Sequence, residues 1–305
     1  MSSVIHTGDA FTVMRTMQAE SIDCIVTSPP YYRLRDYGCE GQLGLEETPE
    51  EYIDKLREIF AEARRVLKDE GTLWLNLGDG YYGSGKGAST NRKSAEGTLQ
   101  GTNKGTVNCP KVALRGVKGR AKNLMGIPWK AAFALQDDGW NLRQDIIWHK
   151  PNSMPESVTD RCTRCHEYIF LFSKNLKYYF DAAAIKEKAN TYDMKLRDRA
   201  NTRLNSVQGR RKIQGLERGD YEFRNKRDVW TVSNTHYTGA HYAVFPKELV
   251  RPCIRAGCPE GGTVLDPFCG SGTVGLVCME ESRNFVGIDI NPKYVKIAES
   301  RLNGG

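Results

Sequence analysis

The residues best equipped for chemistry lie at opposite ends of the chain: Thr27-Ser28-Pro29-Pro30-Tyr31 near the start and Asp266-Pro267-Phe268-Cys269-Gly270-Ser271-Gly272-Thr273 near the finish. The first follows Ser21-Ile22-Asp23-Cys24-Ile25-Val26, an apolar, β-branched run that predicts a buried strand opening into a turn. Two consecutive prolines fix φ and remove two backbone donors, which leaves a stiff turn rich in acceptors. Such a rim suits an exocyclic NH2 group. The Ser28 hydroxyl adds an acceptor, and Tyr31 can stack its ring on a planar base turned out of a helix. An ordinary Pro-Pro turn is the bland alternative.

The second motif follows Gly262-Thr263-Val264-Leu265, another strand, and precedes a helical stretch from Val274 to Glu281. Glycines at 270 and 272 permit a tight turn and close approach to a ligand, and the helix start offers unbonded N–H groups. At the end of the next strand, Asn284-Phe285-Val286-Gly287-Ile288, stands Asp289, an acidic residue able to hold the two hydroxyls of a ribose. Gly270 to Gly275 also satisfies G-x-G-x-x-G, so a nicotinamide or flavin competes with other adenosine-bearing ligands. After Asp289 there remains only the stretch expected to form a helix from Pro292 to Leu302, whereas a dinucleotide site needs a second mononucleotide half. The strands completing the sheet are therefore expected from the other end of the chain.

In this order the two motifs resemble the amino-directed DNA methyltransferases that depend on S-adenosylmethionine, in the circularly permuted class whose catalytic motif precedes the cofactor motif. The resemblance covers nearly the whole chain. It extends to Trp148-His149-Lys150-Pro151-Asn152, to Glu167-Tyr168-Ile169-Phe170-Leu171-Phe172-Ser173-Lys174 and to His241-Tyr242-Ala243-Val244-Phe245-Pro246. It implies a Rossmann-like α/β fold with a mostly parallel seven-stranded sheet, helices on both faces and an inserted target-recognition region. Ser28, Pro29, Pro30 and Tyr31 would hold the target amino group. Thr27, Phe245, Asp266, Phe268, Gly270, Ser271, Gly272 and Thr273 would line the cofactor, with Asp289 on its ribose. Val4 to Asp9 resembles the family's following strand, whose acidic end, Asp9, lies near the adenine, so the permutation cut falls between residues 305 and 1. The implied mechanism is direct transfer to a flipped base, with Ser28 and the Pro29 carbonyl accepting hydrogen bonds from its amino group. In this family Ser at the first motif position accompanies cytosine N4 more often than adenine N6.

The elements around these motifs follow from periodicity. Pro49 to Leu67 predicts an amphipathic helix with Thr48 as N-cap, Glu50 and Glu51 in its first turn and Arg64, Arg65 and Lys68 at its end. Gly71 to Leu77, Leu142 to Trp148 and Tyr168 to Phe172 predict strands, and Ile127 to Asp137 a helix. Strands alternating with helices predict a mostly parallel sheet covered on both faces. The 305 residues suffice for one α/β domain with an insertion, and no long apolar run or signal-like start appears, so a soluble, intracellular protein is expected; the resemblance implies the cytoplasm of a prokaryote or a phage-encoded protein. Cys162-Thr163-Arg164-Cys165-His166 contains a C-x-x-C pair, but a zinc site needs two further ligands, and no metal is expected. Cys269 reads as a packing residue, because a cysteine nucleophile serves only ring-carbon methylation.

Charge is distributed unevenly. Residues 83 to 123 carry a net +8 and residues 181 to 230 a net +5, while the whole chain is only +7, so the remainder is acidic. A phosphate-facing surface requires such asymmetry, which points to nucleic acid, and the resemblance implies double-stranded DNA as the partner. The expected organisation is a first core part over 1–181 with a mobile basic loop at 83–123, target recognition over 182–234, and the cofactor-binding core part over 235–305. Arg210, Arg211, Lys212, Arg224, Lys226 and Arg227 are the candidate contacts to phosphates or guanine edges. The resemblance leaves a restriction endonuclease partner and a homodimer open. A nicotinamide-dependent oxidoreductase would leave Ser28 to Tyr31 idle. A non-catalytic nucleic-acid binder would leave the cofactor motif unexplained, and an RNA or protein substrate stays open within the transferases.

Overall fold

The computed structural model describes residues 1–82, 119–189, 222–234 and 245–304. Two units divide the chain, one of residues 1–180 with 228–305 and one of residues 181–227. The larger unit is built on an eight-stranded sheet in the order β1-β10-β9-β2-β3-β5-β4-β8. Its strands are β1 (Ser3–Thr7), β2 (Ile22–Thr27), β3 (Leu67–Leu77), β4 (Asn141–His149), β5 (His166–Ser173), β8 (Val229–Thr231), β9 (Thr263–Asp266) and β10 (Asn284–Asp289). All pairings are parallel except the two made by β5, which runs against both β3 and β4. The first strand of the chain lies beside the last, with Val4 opposite Val286 and Thr7 opposite Asp289. The sheet is thus completed from the amino-terminal end, as expected.

Side-chain alternation along β3 sorts the two faces. Leu73, Leu75 and Leu77 enter a core with α1 (Ala10–Thr16), α2 (Pro49–Val66) and α3 (Ile127–Asp137), in which Tyr52, Leu56, Phe60, Ala131 and Leu135 are buried. Thr72 points the other way, donating its hydroxyl to the Gly257 carbonyl at the end of α4 (Lys247–Gly257) at 3.3 Å. Beyond it α4, α5 (Thr273–Glu280) and α6 (Pro292–Leu302) pack in series. Helix α2 starts as its sequence dictates, with the Thr48 hydroxyl accepting from the Glu51 amide at 3.1 Å and Pro49 in the first turn.

Two expectations are corrected. The sheet has eight strands where seven were expected, because β8 adds to the outer edge of β4, with Trp148 opposite Trp230. The larger unit resumes at Asp228, ahead of residue 235: the Ile147 amide donates to the Asp228 carbonyl at 2.8 Å and the Trp148 indole to the Val232 carbonyl at 2.8 Å. Within the smaller unit, β6 (Glu187–Lys188) and β7 (Phe223–Arg224) form a two-stranded antiparallel ladder. Most of the basic loop, residues 83–118, and residues 190–221 lie outside the described residues.

Candidate active site

In a parallel sheet, ligands are held outside the carboxyl ends of the strands, where connections turn away in opposite directions. Read along this sheet, those ends present Asp289 from β10, Asp266 from β9, Thr27 and Ser28 from β2, Asn76 from β3 and Lys150 just past β4. The antiparallel β5 brings Glu167 to the same edge from its amino end. The two motifs named from the sequence therefore meet on adjacent strands.

The β9–α5 turn is shaped by its glycines. Gly272 has φ +78°, and a Cβ there would stand 2.9 Å from Ala298 Cβ in α6, so a side chain is excluded by backbone and by packing. The turn is anchored to the next strand by the Cys269 amide, which donates to the Ile288 carbonyl at 2.9 Å, and by Arg301, which donates to the Ser271 carbonyl at 2.5 Å and hydroxyl at 2.8 Å. Asp289 receives the Gly270 amide on Oδ2 at 2.9 Å and the Asn291 amide on Oδ1 at 2.8 Å. These two bonds fix the carboxylate plane and leave each oxygen further lone pairs, which fits a pair of vicinal hydroxyls. Burial nevertheless raises the Asp289 pKa above its ordinary value.

Asp266 is wholly interior. It accepts the Thr27 hydroxyl at 2.6 Å and the Phe268 amide at 3.1 Å, and burial pushes its pKa up to about 7. Thr27 thus acts through Asp266 and ties β2 to β9. The Thr273 hydroxyl, in the first turn of α5, is buried without a hydrogen-bond partner among the described residues. Asp9 caps α1, accepting the Thr12 amide at 2.9 Å and hydroxyl at 2.8 Å. Phe245 packs on Trp148 with ring centroids 6.4 Å apart, which places it on the β4 side of the edge. Cys269 is buried and its thiol pKa is raised by that burial, in keeping with a packing role.

The Ser-Pro-Pro-Tyr turn is held by groups the sequence reading did not name. Asn76 donates its amide to the Tyr168 carbonyl at 2.9 Å, which orients its Oδ1 toward the turn. There it lies 3.1 Å from the Ser28 hydroxyl and 2.8 Å from the Tyr31 hydroxyl. Tyr31 also donates to Glu167 Oε2 at 2.7 Å, and Glu167 is ion-paired with Lys150, whose ammonium sits 3.9 Å from the Trp148 ring centre. Burial and the Glu167 charge hold the Tyr31 phenol well above its ordinary pKa, so it is a neutral donor. Its ring is pressed against Gly78, where a Cβ would fall 2.5 Å from a ring carbon. The Pro30 carbonyl accepts the Tyr52 hydroxyl at 2.8 Å.

These residues were visible as anomalies. Asn76 is a buried amide inside the apolar run Leu73–Leu77, and Lys150 and Glu167 stand in the segments quoted for the resemblance. A further missed pair is Tyr37 and Tyr294, whose rings meet edge to face at 6.1 Å and which both feel the Asp289 charge.

Arg210, Arg211 and Lys212 are outside the described residues. Arg224 pairs with Glu187 at 2.8 Å and Lys226 approaches the same carboxylate at 4.0 Å, inside the smaller unit with Arg227. Cys162 is exposed and Cys165 half-buried, and among the described residues no group of three or more His, Cys, Asp or Glu is placed to hold a metal. Nor is any described helix long and apolar enough to cross a membrane.

A glycine turn answered by an acidic residue on the next strand, beside an acceptor-rich turn on the neighbouring one, defines a Rossmann-like methyltransferase. The signature of the N6/N4 DNA methylases spans residues 22–300, and the chain belongs to that family. It is 47% identical over 302 residues to the type II methyltransferase M.XycI of Xanthomonas campestris pv. cyanopsidis, covering 99% of this chain and 88% of that protein. It is 44% identical to M.SmaI of Serratia marcescens, over 99% of this chain and 91% of the relative. Among solved structures, the cytosine-N4-specific PvuII DNA methyltransferase shares the fold with a TM-score of 0.63 at 18% identity, over 100% of this chain and 94% of that one. The M1.HpyAVI–SAM complex does so at 0.54 and 18%, over 99% and 100%. The protein is a DNA methyltransferase dependent on S-adenosylmethionine.

Proposed function

We propose that the protein methylates the exocyclic N4 of cytosine in double-stranded DNA, within a type II restriction–modification pair. The observation that carries this reading is the Ser28 hydroxyl, set on the neutral Asn76 amide at 3.1 Å where an acidic first motif residue would accompany adenine N6. The cytosine-N4 specificity of the PvuII enzyme, which shares the fold, is in keeping with it.

Bound S-adenosylmethionine would supply a sulfonium methyl group. The donor set fits that cofactor: Asp289 is held with two oxygens toward a ribose diol, Thr273 offers an unpartnered hydroxyl, and Tyr37 and Tyr294 flank Asp289 with aromatic surface. Gly270, Ser271 and Gly272 bring the backbone close, Phe268 lines the turn, and Asp266 with Thr27 braces it against the catalytic strand. Asp9 and Phe245 complete the assignment at its two ends.

On the substrate side the Ser28 hydroxyl gives its proton to Asn76, so its lone pairs face outward as acceptors for an amino hydrogen. The Pro30 carbonyl is engaged by Tyr52, which assigns the second acceptor to Pro29. Two acceptors pull the amino nitrogen toward tetrahedral geometry and localise its lone pair for in-line attack. The rate gain comes from positioning and preset dipoles. Tyr31, fixed at its hydroxyl and backed by Gly78, offers a ring to the flipped base. The smaller unit, residues 181–227, would carry target recognition, with Arg210, Arg211, Lys212, Arg224, Lys226 and Arg227 on DNA. A cognate endonuclease reading the same sequence, and a homodimer, belong to this reading.

The test is incubation with labelled S-adenosylmethionine and unmethylated genomic DNA, digestion to nucleosides, and identification of the product by mass. N4-methylcytosine is expected. N6-methyladenine would keep the site and overturn the base, and no labelled nucleoside would remove DNA as the substrate.

A further inference from the structure

Transfer of a methyl group to an amino nitrogen creates a proton problem. The nitrogen lone pair forms the new N–C bond, the C–S bond of the donor breaks with its electron pair left on sulfur, and the nitrogen then holds one hydrogen too many. Ser28, Asn76 and the proline carbonyls are neutral acceptors and cannot keep that proton. Glu167 is a charged acceptor in this site, and a chain of hydroxyls, Ser28 to Tyr31 to Glu167, leads to it.

The geometry points to Glu167 as the terminus of a proton relay that begins at Ser28 and passes through Tyr31. The inference rests on the reading that Ser28 receives the substrate amino group. Tyr31 has one hydroxyl proton and two acceptors in reach, Asn76 Oδ1 at 2.8 Å and Glu167 Oε2 at 2.7 Å. A charged acceptor makes the stronger bond, so the proton resides toward Glu167 and the Tyr31 oxygen keeps lone pairs open to Ser28. Ser28 Oγ stands 3.5 Å from Tyr31 Oη, and rotation of the serine hydroxyl away from Asn76 aims its proton at that oxygen. In the step, the N–H bond breaks toward Ser28 Oγ, the Ser28 proton passes to Tyr31 Oη, and the Tyr31 proton passes to Glu167 Oε2. The products are a neutral methylamine, unchanged Ser28 and Tyr31, and a carboxylic acid that later releases its proton to solvent.

A carboxylate suffices for this task. The protonated amine has lost conjugation with the ring and is a strong acid, so a weak base at the end of the chain takes its proton. Lys150 anchors Glu167 through an ion pair, the lysine being fixed in turn over Trp148. The other titratable or charged groups around Glu167 are Tyr31 from the β2 turn, His149 on β4, and His166 on β5, which lies near Arg164 and has its pKa lowered chiefly by burial. Glu167 and Tyr31 are relay residues that act through Ser28.

Two variants interrupt the relay independently. Glu167→Gln keeps an acceptor for Tyr31 but cannot take a proton, and Tyr31→Phe leaves the Glu167–Lys150 pair intact while cutting the link to Ser28. The measurements are single-turnover methylation of DNA in H2O and in D2O, and calorimetric affinity for S-adenosylmethionine. The expected result is a rate on the order of 100-fold lower in both variants, with the solvent isotope effect of the wild type lost and cofactor affinity unchanged. A solvent isotope effect retained in Glu167→Gln, or a fall in rate that follows lost cofactor or DNA affinity, would overturn the relay and leave Glu167 a structural anchor. If the wild-type enzyme methylates no exocyclic amine, the underlying reading fails instead, whereas N6-methyladenine as product leaves the relay standing.

Discussion

The Tyr52 hydroxyl in α2 donates to the Pro30 carbonyl of the catalytic turn at 2.8 Å, so the interior helix grips the turn by its backbone. The phenol is fully buried, and burial raises its pKa, so it is a permanent donor. Tyr52→Phe removes one hydrogen bond of about 1 kcal/mol net and leaves a buried carbonyl unpaired. The expected outcome is a lowered denaturant midpoint and a several-fold drop in turnover, with cofactor affinity unchanged. A variant as fast as the wild type would show that the prolines alone hold the turn.

Ser28 and Asp289 should separate chemistry from binding. Ser28 contacts Asn76 and the substrate side of the edge, whereas Asp289 is bonded to the Gly270 and Asn291 amides of the cofactor side. Ser28→Ala is expected to cut the single-turnover rate by about 100-fold, as loss of one preset polar group does, while calorimetric cofactor affinity stays within a few-fold. Asp289→Ala should do the reverse. Equal loss of affinity in both would contradict these roles.

Much of this was legible in the chain because the strong signals are local. Strand β2, helix α3 and helix α6 follow from apolar runs and caps, and the Asp289 carboxylate stands where the glycine turn demands one. Elements without a strong local signal were missed. Helix α1 spans only Ala10–Thr16, α4 carries Pro252 in its interior, and β8 is a three-residue strand defined by its partner β4. The sheet was expected to have seven strands for that last reason. Asn76, Lys150 and Glu167 escaped because their role is a relation among three strands, which no single segment contains. Asp9 was read as a cofactor group, and locally it is also the N-cap of a helix that periodicity did not reveal.

Gly272 is the position in the cofactor turn least tolerant of a side chain. With φ at +78° an alanine pays left-handed strain of about 1–2 kcal/mol. Its Cβ also meets Ala298 at 2.9 Å, which forces α5 and α6 apart. Gly272→Ala is expected to lower the thermal midpoint by several degrees and to weaken cofactor binding in parallel. Gly272→Ala combined with Ala298→Gly should recover little, because the Ala298 Cα still lies 3.2 Å from the new Cβ and a glycine inside α6 costs about 1 kcal/mol of its own. An unchanged thermal midpoint in Gly272→Ala would show that the turn yields without cost.

Asp266 makes stability depend on pH in the direction opposite to a salt-bridged carboxylate. Burial raises its pKa in the fold to about 7, against an ordinary value near 3.8. Below about pH 4 it is protonated in both the folded and unfolded chain, and its contribution to stability is fully present. As pH rises, the unfolded chain ionises first, so stability falls until the folded carboxyl also ionises near 7, beyond which the loss is complete. A displacement of this size corresponds to at most about 4 kcal/mol. Asp266→Asn keeps an oxygen for the Thr27 hydroxyl and the Phe268 amide but removes the titration. Asp289, also raised by burial, adds its charge to the causes that raise Asp266, so the difference between the two proteins reports the coupled pair. Chemical denaturation of both from pH 4 to 9 should therefore show the wild type losing stability relative to Asp266→Asn up to about pH 7 and running parallel above it. A difference that is flat throughout would mean that the Thr27 and Phe268 bonds outweigh burial and keep Asp266 ionised in the fold.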